Sequence, residues 1–125
     1  MSTNAHRVLV IDDEAALRGL LRDMLAACGY DVDLAEDGAA GVARFQQSRY
    51  RAVITDLLMP GMNGFEVARA LRTIDPTVKI IMLTGSAPQV TAGRAREAGL
   101  TLLHKPIALS DLKAAVDAAC GGLER

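Results

Sequence analysis

Short apolar runs along this chain alternate with longer stretches in which apolar residues return every three or four positions. The runs are Arg7–Ile11, Ala52–Ile54, Val78–Leu83 and Leu100–Leu103, each closed by polar or turn-forming residues. Unbroken runs this short read as strands buried on both faces of a parallel sheet. Tyr30–Ala35 differs, because Val32 and Leu34 alternate with Asp31 and Asp33. That predicts a strand nearer an edge, with one wetter face.

The intervening stretches predict helices. Leu17, Leu20, Leu21, Met24, Leu25 and Cys28 share one face, and Gly29 suits the left-handed residue that ends such a helix. A weaker helix over 38–48 turns Ala39, Val42, Ala43 and Phe45 inward. Asn63 and Glu66 have capping-box spacing before Phe65, Ala68, Leu71 and Ile74, and Asp75-Pro76 stops that helix. Ser86, Pro88 and Gln89 start the next, which runs to Ala98, is closed by Gly99 and is poor in large apolar residues. Such a helix packs weakly and moves easily. Ser110 is the expected cap of the last helix, whose inner stripe is Leu112, Ala115, Val116 and Ala119 before Gly121-Gly122.

Five strand-then-helix units in strict alternation argue for an α/β fold, a parallel sheet with helices on both faces. With 125 residues and no internal repeat or linker, the chain reads as one domain over 1–125, its core spanning about 6–121. The composition is 50% hydrophobic but only 3% aromatic, so Leu, Ile, Val, Ala and Met must fill the core. A net charge of −1 gives no electrostatic footprint for nucleic acid or an anionic membrane. Glu124-Arg125 follows directly on the last helical pattern, so no DNA-binding module is expected after it. Met1–His6 lacks a signal-peptide core, no run is long enough to span a membrane, and Cys28 and Cys120 match no metal spacing. A cytoplasmic protein with reduced thiols is the expectation.

Candidate chemistry gathers at the strand ends. The first apolar run stops at Asp12 and Asp13, the third strand at Asp56, the fourth at Thr84 and the fifth at Lys105. Singly, each has a bland reading: an acidic helix start, a turn aspartate, a strand-end hydroxyl, a solvated lysine. Together they would meet at the rim where open α/β sheets bind ligands. Three neighbouring carboxylates repel one another, and a hard divalent cation such as Mg²⁺ relieves that repulsion. Lys105 adds a point charge and Thr84 a hydroxyl, the elements of a site that neutralises and orients a phosphoryl group. Asp56 is then the candidate nucleophile. His6 and His104 are read as structural, and Met59, Met62 and Met82 as core or loop packing.

Val8-Leu9-Val10-Ile11-Asp12-Asp13-Glu14, Asp56-Leu57-Leu58-Met59-Pro60-Gly61-Met62-Asn63-Gly64, Met82-Leu83-Thr84-Gly85 and Lys105-Pro106 together resemble the receiver domain of two-component response regulators. The resemblance covers nearly the whole chain. It implies the flavodoxin-like (βα)5 sheet, strand order 2-1-3-4-5. It implies that Asp56 accepts a phosphoryl group from a phosphohistidine of a histidine kinase or histidine phosphotransferase. Asp13, Asp56 and the backbone carbonyl of Leu58 would ligate Mg²⁺, or Mn²⁺ in its place, with Asp12 assisting. Lys105 would pair with phosphoryl oxygens, its bond to Pro106 would be cis, and Thr84 would move toward the phosphoryl group. The output would be a protein bound at the face of the fourth helix, fifth strand and fifth helix, by a monomer or weak dimer. One departure is Leu102, where many receivers carry an aromatic that turns inward with the threonine, and 102–106 looks more like receivers attached to hybrid sensor kinases. The alternatives are thus a module excised from such a kinase, or an aspartyl-phosphate phosphatase, which would need a second aspartate where Leu58 stands.

Overall fold

The computed structural model describes residues 6–85 and 89–121. The elements follow in the order β1 (Arg7–Ile11), α1 (Ala15–Ala27), β2 (Asp31–Ala35), α2 (Gly38–Gln47), β3 (Ala52–Asp56), α3 (Gly64–Ile74), β4 (Lys79–Thr84), α4 (Gln89–Glu97), β5 (Thr101–His104) and α5 (Leu109–Cys120). All four strand pairings are parallel, in the order β2-β1-β3-β4-β5. The edge position of β2 accounts for its alternating aspartates. The apolar runs of β1, β3 and β4 lie inside the sheet and are covered on both sides.

Because side chains alternate across a strand, each run feeds two cores. Leu9, Ile11, Val53, Ile80 and Met82 pack on one face with Phe45 of α2, Val67 and Leu71 of α3 and Ala95 of α4. Val8, Val10, Ile54, Ile81 and Leu83 pack on the other with Leu21 and Leu25 of α1 and Leu112, Val116 and Cys120 of α5. Neither cysteine is bonded; Cys28 is half-buried and Cys120 buried. Gly29 and Gly99 take positive φ after α1 and α4, as their helix-ending positions require.

Helix faces depart from expectation in instructive places. Leu20 is 54% exposed and Ile74 41%, so neither belongs to the inner stripe assigned to it. In α2 the outward residues are Ala39 and Ala43, while Gly41 faces Ile11 of β1 and Gly38 faces Met62 and Val67 at the start of α3. A Cβ on Gly41 would stand 2.4 Å from Ile11 Cδ1, so only glycine admits this approach. Ser110 does not cap α5. The N-cap is Ala108, whose carbonyl already accepts from the Leu112 amide, so the helix begins before the serine. The expected cap at Ser86 and Pro88, Gly122 and the polar lead before His6 lie outside the described residues.

Candidate functional site

Register alone brings the acidic residues together. Ile11 of β1 stands opposite Thr55 of β3, so the next step along both strands sets Asp12 beside Asp56. Asp56 lies opposite Leu83 and Thr84 opposite His104, which puts Thr84 and Lys105 on the same carboxyl-end rim. One carboxylate oxygen from each of Asp12, Asp13 and Asp56 lies within 4.8 Å of the other two. Lys105 Nζ stands 2.8 Å from Asp56 Oδ1. Asp12, Asp56 and Thr84 are buried, whereas Asp13 faces solvent and keeps the site open to an incoming group.

Backbone contacts fix the strand ends that carry these side chains. The Asp12 amide donates to the Ala35 carbonyl at 3.1 Å, and its Oδ1 accepts from the Glu14 amide at 2.8 Å. The Arg18 guanidinium donates to the Asp12 backbone carbonyl at 2.8 Å. The other carboxylate oxygen of Asp12, Oδ2, is buried with no hydrogen-bond partner. Beyond β3, the Leu57 amide donates to the Leu83 carbonyl and the Gly64 amide to the Leu57 carbonyl, both at 2.8 Å. The Asn63–Glu66 capping box then starts α3. Gly64 is packed so closely that a Cβ there would lie 2.9 Å from the Asp56 carbonyl oxygen and 2.8 Å from Met82 Sδ. The Lys105 amide donates to the Thr84 carbonyl at 2.8 Å, and the Lys105–Pro106 bond is cis.

The electrostatics are those of an acidic cluster facing a single lysine. Burial pushes the Asp12 carboxyl above the ordinary value of 3.8; the Glu14 amide opposes this and the Asp56 charge adds to it. At an effective dielectric near 20, two carboxylates this close repel by on the order of 3 kcal/mol. Burial would pull Lys105 down, but its hydrogen bond to Asp56 and the charges of Asp56, Asp12 and Glu14 carry it above its usual value. One lysine against three carboxylates leaves the cluster anionic. An unpaired buried oxygen, donors that are all carboxylates and an open side together suit a hard ion that keeps some of its water.

The histidines lie elsewhere: His104 is exposed at the end of β5, and His6 sits edge-on to Tyr30 at 6.2 Å. Met59 and Met82 are buried and Met62 half-buried, all in the core. Arg18, Gly64 and the Leu57 backbone were not singled out from the sequence as parts of the site. Gly64 stands there only as the last residue of the Asp56–Gly64 motif, and no spacing motif points to Arg18.

The response regulator receiver domain family matches residues 8–117 of this chain. The chain belongs to that family. This receiver domain is 40% identical over 97 residues to the transcriptional regulatory protein ResD of Bacillus subtilis, covering 78% of the chain and 40% of ResD. It is 36% identical over 119 residues to the DNA-binding response regulator MtrA of Mycobacterium tuberculosis, covering 94% of the chain and 52% of MtrA. It therefore spans about half the length of these relatives or less, and its near-neutral charge bears on nucleic acid only for these 125 residues. Among solved structures, a response regulator receiver domain protein of Clostridium thermocellum is similar at a TM-score of 0.87 and 30% identity, over 92% of this chain and 94% of that one. The chemotaxis protein CheY4 of Vibrio cholerae is similar at 0.85 and 30%, over 90% and 97%. No helix among the described residues is long and apolar enough to cross a membrane.

Proposed function

We propose that this receiver domain takes a phosphoryl group from a phosphohistidine of a histidine kinase or histidine phosphotransferase onto Asp56, acting in the cytoplasm. The observation that carries the reading is the meeting of Asp12, Asp13 and Asp56 within 4.8 Å, with the Asp12 Oδ2 unpaired and Lys105 on Asp56. Mg²⁺ or Mn²⁺ would be held by Asp12, Asp13, Asp56 and the Leu58 backbone carbonyl. When bound, the ion supplies positive charge to these carboxylates and to phosphoryl oxygens.

Asp56 forms the new P–O bond from a carboxylate oxygen as the P–N bond to the donor imidazole breaks, and the imidazole takes up a proton as it leaves. Lys105, already beside Asp56, neutralises the phosphoryl oxygens. The Thr84 hydroxyl donates to one of them, biasing the segment that follows β4. Leu58 has no proton to give, so the general acid of an aspartyl-phosphate phosphatase is lacking at that position. The output is a change in protein binding at the face formed by α4, β5 and α5.

Intact-protein mass spectrometry after incubation with acetyl phosphate and Mg²⁺ tests this. One phosphoryl mass on the wild type, lost on chelation and in Asp56→Asn, is expected. A folded wild type that stays unmodified, with acetyl phosphate and with a phosphorylated kinase alike, contradicts it.

A further inference from the structure

α4 is joined to the rest of the receiver domain in an unusual way. It carries a single buried apolar side chain among those described, Ala95. Where α3 and α4 face each other there is a cleft of about 380 Å³ in place of an interlocked apolar seam. Two arginines cross it. The Arg72 guanidinium of α3 donates to the carbonyls of Ala98 and Gly99, which close the carboxyl end of α4. From the other side, Arg94 of α4 lies 4.0 Å above the ring of Phe65 in the first turn of α3.

α3 itself is anchored firmly. Val67, Ala68 and Leu71 are buried, the capping box closes its start, and its first residue rests on the backbone of Asp56 and Leu57. A displacement of the Asp56 backbone therefore moves the start of α3, and α3 is a stiff rod that ends in the guanidinium holding α4. On β5, Leu102 is a half-buried aliphatic residue packed on the same core, with no ring to swing.

We propose that Arg72 and Phe65 are positioning residues that transmit the state of Asp56 to α4 through α3. The inference rests on the reading of Asp56 as the phosphoryl acceptor. The Arg72 hydrogen bonds are exposed to solvent and Arg94 meets Phe65 through one cation–ring contact, so each is weak enough to be exchanged without unfolding either helix. Coupling of this kind requires only that the two arrangements of the cleft differ in these contacts.

Hydrogen exchange on the intact chain, read by mass spectrometry with and without Mg²⁺ and beryllofluoride, tests the proposal. In the resting protein, Arg72→Met is expected to speed exchange of the α4 amides roughly tenfold and Phe65→Leu about threefold. Arg72→Lys, which still donates to one carbonyl, falls between Arg72→Met and the wild type. Beryllofluoride should protect the ends of β1 and β3 equally in all four proteins, with calorimetric affinity within about twofold. It should alter α4 exchange in the wild type and alter it clearly less in Arg72→Met and Phe65→Leu, the remainder arriving through Thr84 and the segment after β4. An α4 response that persists at full size in both variants overturns the inference and spares the phosphoryl-acceptor reading. A wild type whose Asp13 and Asp56 segments ignore beryllofluoride overturns that reading, and the inference with it.

Discussion

At the scale of single residues, the acidic site carries a cost in stability. Asp12 is held at its amide, its carbonyl and one carboxylate oxygen, while the other oxygen is buried and unpaired beside Asp56. Burying a charge in that way is unfavourable without a counter-ion. Asp12→Asn should therefore stabilise the metal-free protein, and it should shrink the added stability that Mg²⁺ gives the wild type. Urea titrations with chelator and with Mg²⁺ measure both effects; a destabilised metal-free variant contradicts the account. Gly64→Ala drives a methyl against the Asp56 carbonyl and Met82. Its expected cost is roughly 1–3 kcal/mol, with a slower reaction toward acetyl phosphate, because the backbone that carries the acceptor must shift. The carboxylates, the lysine and the threonine were legible in the sequence because each ends a predicted strand. Arg18 was not, since its contact is with a backbone carbonyl, and no side-chain pattern encodes that.

At the scale of elements, periodicity reports which segments form but only coarsely which residues they bury. The strands were readable because runs such as Val8–Ile11 and Ile80–Leu83 have no polar interruption. In α2 the reading placed Ala39 and Ala43 inward, yet Gly38 and Gly41 lie inside with Phe45, because Met62 at the first and Ile11 at the second leave no room for a Cβ. A hydrophobicity pattern carries no information about that distance. Ser110 failed as a cap for a related reason: the chain leaving Pro106 closes its first helical turn on Ala108, and sequence composition does not give that path. The Asn63–Glu66 box was legible, since both halves of a reciprocal bond sit at fixed spacing. Asn63→Ala should cost about 1 kcal/mol and slow phosphoryl uptake, because α3 starts against the acceptor strand. Matching urea midpoints for variant and wild type would contradict this role.

At the scale of the whole molecule, five parallel strands carry two cores and present their carboxyl ends as one rim. The core is also pinned by polar contacts away from that rim. Tyr50 Oη donates to Asp33 at 2.6 Å, its ring stacks on Phe45 at 6.0 Å, and Arg7 and Arg44 flank the same aspartate. Burial, reinforced by the bond to Asp33, raises the Tyr50 hydroxyl from 10.0 to about 12. The folded state thus holds this proton more tightly than the unfolded chain. The stabilisation is complete below the unfolded value and is lost as the pH rises through the folded one. Wild-type stability should fall between pH 10 and about 12, and Tyr50→Phe should make that limb shallower, the remainder coming from Tyr30 and Cys120, whose protons burial also holds. Urea midpoints across the window that run parallel for the two proteins would count against it.

The central claim is that the strand-end carboxylates and Lys105 make Asp56, and no other residue, the bearer of the phosphoryl group. The most direct measurement is hydride trapping: the protein is treated with acetyl phosphate and Mg²⁺, reduced with borohydride, digested and mapped by tandem mass spectrometry. An aspartyl phosphate reduces to homoserine, so the account predicts homoserine at position 56 and at no other aspartate. Homoserine at Asp12 or Asp13, or a stable phosphoryl group on His104 with position 56 unchanged, would contradict it.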